Sequence, residues 1–136
     1  MDLTLQFDCS GIAWAELEAL FKAAGLGGRA GDKLRRAFEN SQLVCFAWDG
    51  ARLIGASRAL TDWEYHAAIY DAAVLPEYQG YGLGRRIMQA LIDRLPVWRY
   101  MLVTEDKNVG FYQKLGFEEI RIVMARFAWD RLYDPE

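Results

Sequence analysis

Residues 74–86 read Val-Leu-Pro-Glu-Tyr-Gln-Gly-Tyr-Gly-Leu-Gly-Arg-Arg, and this stretch decides the fold. An apolar run ends at Pro76, glycines follow at positions 80, 82 and 84, and an amphipathic helix begins directly afterwards. Such a loop directs free backbone N–H groups and the positive end of a helix dipole toward one point. A point of this kind binds phosphate. The stretch therefore predicts a phosphate site between a strand and a helix.

The rest of the chain alternates between strand and helix patterns. A short strand at 3–7 precedes two helices, and a hairpin on the Asp49-Gly50 turn leads into an apolar strand at 67–74. After the glycines, a helix with helical apolar spacing runs to Pro96, followed by a strand at 100–103, a short helix at 108–115 and one or two strands within 117–128. This order predicts an α/β fold of the α+β kind, with a right-handed parallel crossover between residues 67 and 103.

Composition narrows the class of protein. The length of 136 residues favours a single domain over 1–136, and an apolar fraction of 53% excludes a disordered chain. With 16 basic against 19 acidic residues and no basic block, we expect no nucleic-acid partner and no anionic membrane surface. No apolar run reaches the roughly 18 residues of a membrane span.

Two further features of the sequence bear on location and metal binding. Cys9 and Cys45 are isolated, so neither a disulfide framework nor a metal site is expected. The first residues lack the basic start and apolar core of a signal peptide. We therefore expect a reduced, cytoplasmic protein.

Two common glycine motifs can be excluded by counting. The dinucleotide fingerprint needs glycines at i, i+2 and i+5, but Arg85 lies at the third position counted from Gly80, and Ile87 at that counted from Gly82. The ATP-type loop ends in Gly-Lys-Ser/Thr, whereas Gly84 is followed by two arginines. The phosphate predicted here belongs to another kind of ligand.

The remaining pattern, Gln79-x-x-Gly82-x-Gly84 after a strand, resembles the coenzyme A signature of the GNAT acetyltransferase superfamily. A second run is similar to that family's second motif and lies at the expected distance downstream: Asn108, Phe111, Tyr112 and Lys114-Leu115-Gly116-Phe117. The resemblance covers roughly residues 43–125. It implies an acetyl-CoA-dependent N-acetyltransferase with a mixed, mostly antiparallel sheet of about six to seven strands and helices on both faces.

The resemblance also implies which residues bind acetyl-CoA. Backbone N–H groups of the glycine turn would hold the diphosphate, where a Cβ on any of the three glycines would keep the phosphate away. The end of the preceding strand would pair with the pantetheine arm, and Asn108 would bind that arm or cap a helix. The expected cofactor-binding residues are Ala72, Ala73, Val74, Gln79, Gly80, Tyr81, Gly82, Leu83, Gly84, Arg85, Asn108 and Phe111.

The chemistry needs a proton donor for the departing thiolate. Tyr112 matches the family position of this donor, and a phenol with a pKa of about 10 is only modestly weaker than a thiol with a pKa of about 8.5. The alternative for Tyr112 is a packed aromatic ring whose hydroxyl reaches water.

The general base stays open between several carboxylates. Asp71 interrupts the apolar strand, so it is a base or the partner of a buried arginine. Simple alternation puts Asp71 on one face with Ile69 and Ala73. Glu105 and its neighbour Asp106 follow the next strand. Glu105 is favoured, acting through water, because the whole pattern is similar to the small arylalkylamine N-acetyltransferases of plastids and bacteria, whose acid lies there.

The acceptor site is expected among the first helices and the loop at 61–65. Asp62, Trp63, Glu64 and Tyr65 would suit a cationic amine with an apolar body, although a solvated hairpin tip explains them equally well. A small-molecule amine is the expected substrate, and a protein lysine or N-terminal amine, or an inactive acyl-CoA-binding module, is the alternative. A monomer or a homodimer fits the apolar C-terminal segment, which would complete the sheet or pair across two copies.

Overall fold

The computed structural model describes residues 1–131. Its elements follow the order β1 (Leu3–Gln6), α1 (Trp14–Ala23), α2 (Gly31–Glu39), β2 (Leu43–Asp49), β3 (Arg52–Thr61), β4 (His66–Val74), α3 (Leu83–Arg94), β5 (Arg99–Met101) and α4 (Val109–Gln113). Single 3-10 turns at Pro76–Tyr78 and Asp106–Asn108 precede α3 and α4. The described residues share one hydrophobic core, and the prediction of a single domain over 1–136 stays a prediction.

The sheet is mixed and mostly antiparallel, as predicted. Its strands lie in the order β1-β2-β3-β4-β5, and only β4 and β5 pair in parallel. The parallel pair confirms the crossover through α3. Helix α3 packs on one face, where Gly55 lets it approach: a Cβ there would lie 2.7 Å from Ile87 Cδ1. On the other face, Phe38 of α2 stacks on Phe46 of β2 with 5.4 Å between ring centroids.

The predicted strand count of six to seven is too high, because the sheet has five strands within residues 1–131. The missing strands are those expected within 117–128, where the structure has no strand. Apolar side chains of this segment are exposed, including Ile122 at 82% and Met124 at 95%. Pairing needs a partner edge, and β5 ends at Met101 after three residues. A strand-like pattern alone therefore did not produce a strand.

Strand β4 carries a bulge at residues 71–72, and this bulge corrects the predicted alternation. The register pairs Ala56 with Ala73 but Arg58 with Tyr70. Asp71 has a φ of 55°, in the left-handed region that bulges use. Because directly paired residues lie on the same face of a sheet, Ala73 shares its face with Tyr70 and not with Ile69. One extra residue thus reverses the facing of the strand's end.

Candidate active site

The site lies where β4 and β5 separate. The two strands pair only over His66–Ala68 and Arg99–Met101, so the remainder of β4 has no neighbour on that side among the described residues. The gap opens into a cleft of about 690 Å³. The predicted residues in its wall come from β4, from the glycine turn with the start of α3, and from the segment 105–112: Ala72, Ala73, Val74, Gln79, Gly80, Gly82, Leu83, Gly84, Arg85, Glu105, Asn108, Phe111 and Tyr112.

The glycine turn presents free backbone donors to this cleft. Within residues 1–131, the N–H groups of residues 80–85 donate to no backbone or side-chain acceptor, whereas the N–H of Arg86 donates to the carbonyl of Gly82 at 3.1 Å. Gln79 braces the turn, since its Nε2 donates to the Val74 carbonyl at 3.0 Å. Free N–H groups at the start of a twelve-residue helix form an anion site.

The three glycines of the turn are needed for two different reasons. Gly80 and Gly82 have φ values of 88° and 79°, which residues with a Cβ rarely adopt. Gly84 has ordinary helical geometry, but a Cβ there would lie 3.3 Å from Phe111 Cζ. At Gly84 the structure therefore shows a packing requirement, where the sequence predicted only the close approach of phosphate.

Tyr112 is held by neighbouring aromatic rings at the wall of the cleft. Its ring meets those of Phe111 and Phe117 edge to face, with centroids 4.9 and 5.9 Å apart. Burial raises the pKa of the Tyr112 phenol above its ordinary value. The phenol therefore stays protonated at neutral pH, which is the state that a proton donor needs, while the raised pKa makes it a weaker acid than a phenol in water.

The Acetyltransferase (GNAT) family model matches residues 12–117, which is most of the chain. This protein belongs to the GNAT acetyltransferase family. The family and the relatives named below make it an acyltransferase and confirm the resemblance seen in the sequence.

Two curated relatives place the chain within the GNAT family. Serotonin N-acetyltransferase 2, chloroplastic, of Oryza sativa subsp. japonica is 34% identical over 115 residues, covering 79% of this chain and 58% of the relative. The uncharacterized N-acetyltransferase ycf52-like of Prochlorococcus marinus is 33% identical, covering 75% and 61%. The chain thus spans about three fifths of the length of these relatives.

Solved GNAT structures agree with the fold. A GNAT-family acetyltransferase from Streptococcus pneumoniae superposes with a TM-score of 0.75 at 26% identity, covering 92% of this chain and 99% of that one. Glucosamine-6-phosphate N-acetyltransferase from Arabidopsis thaliana superposes with a TM-score of 0.66 at 16% identity, covering 92% and 99%. At the latter identity the comparison supports the fold alone.

The predicted carboxylates differ in their ion pairs and in whether they line the cleft of this GNAT domain. Asp71 does not line the cleft; its Oδ1 accepts from Arg29 Nε at 3.0 Å and its Oδ2 from Arg58 Nε at 2.8 Å. Of the two predicted roles, partner of a buried arginine is the one its contacts fit. Glu105 lines the cleft and is exposed, with an ion pair to Lys107 at 3.4 Å. Asp106 is exposed and does not line the cleft.

The loop at 61–65 is organised by its own aspartate. Asp62 Oδ1 accepts backbone N–H groups of Glu64, Tyr65 and His66 at 2.7–3.0 Å. These bonds lower the pKa of Asp62 to about 2. None of the loop's predicted acceptor residues lines the cleft. The hairpin-tip interpretation accounts for Asp62 fully.

The structure adds residues to the site that sequence reasoning missed. Tyr78 lines the cleft, and its hydroxyl donates to Asp49 Oδ2 at 2.6 Å. Residues 24–26, just after α1, line it too. Their only sequence signal is the glycine-rich stretch at 25–31, which by itself indicates no more than a break between the two predicted helices. Conversely, Tyr81 was predicted but does not line the cleft, and its side chain is 72% exposed.

Residues 1–131 contain neither a metal site nor a membrane-spanning helix. No group of three histidine, cysteine or acidic side chains there is arranged to hold a metal ion. None of the helices in this part of the chain has the length and apolar character needed to cross a bilayer.

Proposed function

We propose that this protein is an acetyl-CoA-dependent N-acetyltransferase that acetylates a primary amine of a small molecule by direct attack on the thioester. One observation carries the proposal: free N–H groups at 80–85 and the protonated Tyr112 line the same cleft. The first set suits a diphosphate, and the second suits a leaving thiolate. Family membership supplies the acetyl transfer itself.

The residues present fit acetyl-CoA. Turn amides and the α3 terminus offer donors for two linked phosphates. The unpaired stretch of β4 offers backbone groups to the amide-containing arm, as a sheet edge does to a peptide. Asn108 occupies the N-cap position of α4 without a side-chain capping bond in the described chain, so its amide is available to the arm. The cofactor supplies an acetyl group activated as a thioester.

Tyr112 and Glu105 divide the proton transfers. A primary amine with a pKa of about 10.4 is charged at pH 7, and losing that proton costs roughly 4–5 kcal/mol. Glu105, exposed at the cleft wall, accepts the proton through water. Tyr112 donates its proton as the C–S bond breaks, so that a neutral thiol leaves, and the nitrogen of the new C–N bond gives up its second proton to solvent. Both groups then return to their starting states by exchange with solvent.

A small amine is supported by the relative named serotonin N-acetyltransferase, which is 34% identical. A second function is favoured by a different relative. Histone acetyltransferase TAP1 of Glycine max is also 34% identical, over 117 residues covering 76% of this chain and 51% of that protein. A protein amine is therefore the second candidate substrate, and an inactive acyl-CoA-binding module the third. The cytoplasmic location and the oligomeric state stay predictions.

A thiol-release assay with acetyl-CoA tests these functions together. The acceptors are arylalkylamines, polyamines, amino acids, and lysine and N-terminal peptides. We expect an arylalkylamine or polyamine to raise thiol release above the rate without acceptor. A peptide as the best acceptor would favour the second function. Calorimetric binding of CoA without turnover of any acceptor would favour the inactive module, and absence of binding would overturn the proposal.

A further inference from the structure

The loop between α1 and α2, residues 24–30, forms part of the cleft wall through Ala24, Gly25 and Leu26. Its first half is fixed by the main chain, since the Leu26 N–H donates to the Phe21 carbonyl at 2.8 Å. Its second half contains Gly28 at a φ of 87°. Glycine-rich segments lose much conformational entropy on ordering, so side-chain contacts matter for the position of this half. Its end is held by Glu18, whose Oε2 accepts the Gly31 N–H at 3.2 Å, and a further side-chain contact holds its middle.

Arg29 supplies that contact by reaching across to β4. Its Nε donates to Asp71 Oδ1 at 3.0 Å, while Arg58 holds the other carboxylate oxygen at 2.8 Å. The Asp71 side chain is 6% exposed and that of Arg58 15%, whereas Arg29 is 44% exposed. Arg58 also lies over the rings of Phe38 and Tyr70, at 5.9 and 5.4 Å. Asp71 and Arg58 therefore form a fixed, largely buried ion pair, and the more exposed Arg29 is the partner that can detach from Asp71.

The position of Asp71 along β4 indicates near which end of the cleft the Arg29–Asp71 contact lies. The phosphate turn follows Val74, at the C-terminal end of the strand. Asp71 precedes the cleft-lining stretch Ala72–Val74, so it lies further from the phosphate turn along the strand. With the arm of acetyl-CoA paired along Ala72–Val74, as in the proposed function, the contact lies at the end of the arm away from the diphosphate, on the side of the acetyl group.

We propose that Arg29 is a positioning residue that latches the loop at 24–30 onto the β4 bulge and so completes the acceptor end of the cleft. The inference rests on the proposed N-acetyltransferase function. Without the latch, a smaller fraction of molecules has the loop in the binding-competent position. The apparent affinity for the acceptor falls in proportion to that fraction. The step that makes and breaks bonds is unaffected once the acceptor is bound.

Two measurements on Arg29→Ala test the latch. In hydrogen exchange of the free protein, the two hydrogen-bonded amides that flank the second half of the loop, those of Leu26 and Gly31, should exchange roughly fivefold faster, while those of β2 and β3 stay unchanged. In kinetics with the best acceptor, KM should rise roughly fivefold with kcat within twofold. Arg29→Lys keeps the charge and should give intermediate values. Arg35→Ala is the matched control, because Arg35 pairs with Glu39 at 3.4 Å on an exposed helix face.

The outcomes separate the latch from the function on which it rests. If Arg29→Ala matches Arg35→Ala in both exchange and KM, the latch is wrong. If kcat falls while KM stays constant, Arg29 does not position the acceptor loop. If the unmodified protein turns over no amine, the proposed function fails, and the exchange measurement still decides whether Arg29 holds the loop.

Discussion

The ring of Phe111 lies against the backbone of Gly84, with its Cζ 3.3 Å and its Cε1 3.5 Å from where a Cβ on Gly84 would stand. This contact joins the two sequence motifs of the site, one at the start of α3 and the other in α4. It also makes the helix start and the cleft wall mutually dependent.

Gly84→Ala should weaken acetyl-CoA binding by roughly fivefold, about 1 kcal/mol, because Phe111 must shift by a few tenths of an ångström. Stability should change little, since alanine favours a helix by up to about 1 kcal/mol over glycine. Calorimetry and thermal unfolding measure the two effects. Gly110→Ala is the control, because a Cβ there meets nothing within 4 Å. Equal affinities for the two variants would contradict the packing argument.

Gly82→Asp should raise the acetyl-CoA Kd by about 100-fold or more, because a carboxylate would face the diphosphate at the helix terminus. Gly82→Asn carries the same backbone strain without the charge and should lose much less affinity. Gly50→Asp is a second control, with a φ of 57° in a hairpin turn that does not itself line the cleft. Calorimetry measures acetyl-CoA binding by each variant. Undiminished binding by Gly82→Asp would refute the phosphate site.

Tyr112→Phe should lower kcat by about 100-fold with little change in the Kd of CoA, because only the proton donor is lost. Tyr81→Phe, at an exposed phenol outside the cleft, should be silent in the same assay. If Tyr112→Phe retains full turnover, the donor is another group.

The raised pKa of Tyr112 also predicts a pH effect on stability. A phenol whose folded-state pKa exceeds the unfolded value of about 10 contributes stability below pH 10, and this is lost as pH rises through the folded pKa. The free energy of unfolding should thus fall more steeply above pH 10 in the unmodified protein than in Tyr112→Phe. Urea unfolding at pH 8 to 11 measures the difference between the two curves, and coinciding curves would contradict the burial effect.

Glu105→Gln should lower kcat/KM by about 100-fold at pH 7, because the bound amine then loses its general base. The defect should shrink as pH approaches the amine pKa of about 10, where neutral amine is already present. The adjacent Asp106→Asn provides the matched control, since Asp106 lies outside the cleft wall. If Asp106→Asn shows the larger loss of kcat/KM across the pH profile, Asp106 is the general base and not Glu105.

Asp71→Asn should destabilise the fold by about 3 kcal/mol or more, because Arg58 would keep its charge in a largely buried position without its anion. Glu39→Gln removes one exposed helical ion pair and should cost no more than about 0.5 kcal/mol. Urea unfolding compares the two. A small loss for Asp71→Asn combined with a large loss of turnover would make Asp71 the base instead.

Local sequence patterns predicted the elements whose structure is specified by their own consecutive residues. The apolar run of β2, the Asp49-Gly50 hairpin and the helix between Gly82 and Pro96 were all read from neighbouring residues and lie where expected. The strand prediction within 117–128 was wrong, because a strand also needs a partner edge, and that edge depends on where β5 ends.

The sequence by itself determined the glycine turn and the helix that follows it, since positive-φ glycines and a helix start are properties of consecutive residues. Only the tertiary structure decided the contacts of Asp71 and the place of residues 24–26 in the cleft wall. Arg29 lies 42 positions from Asp71 in the chain, and a one-residue bulge sets which face the strand's end presents. Contacts between distant residues depend on register and packing, which no local pattern specifies.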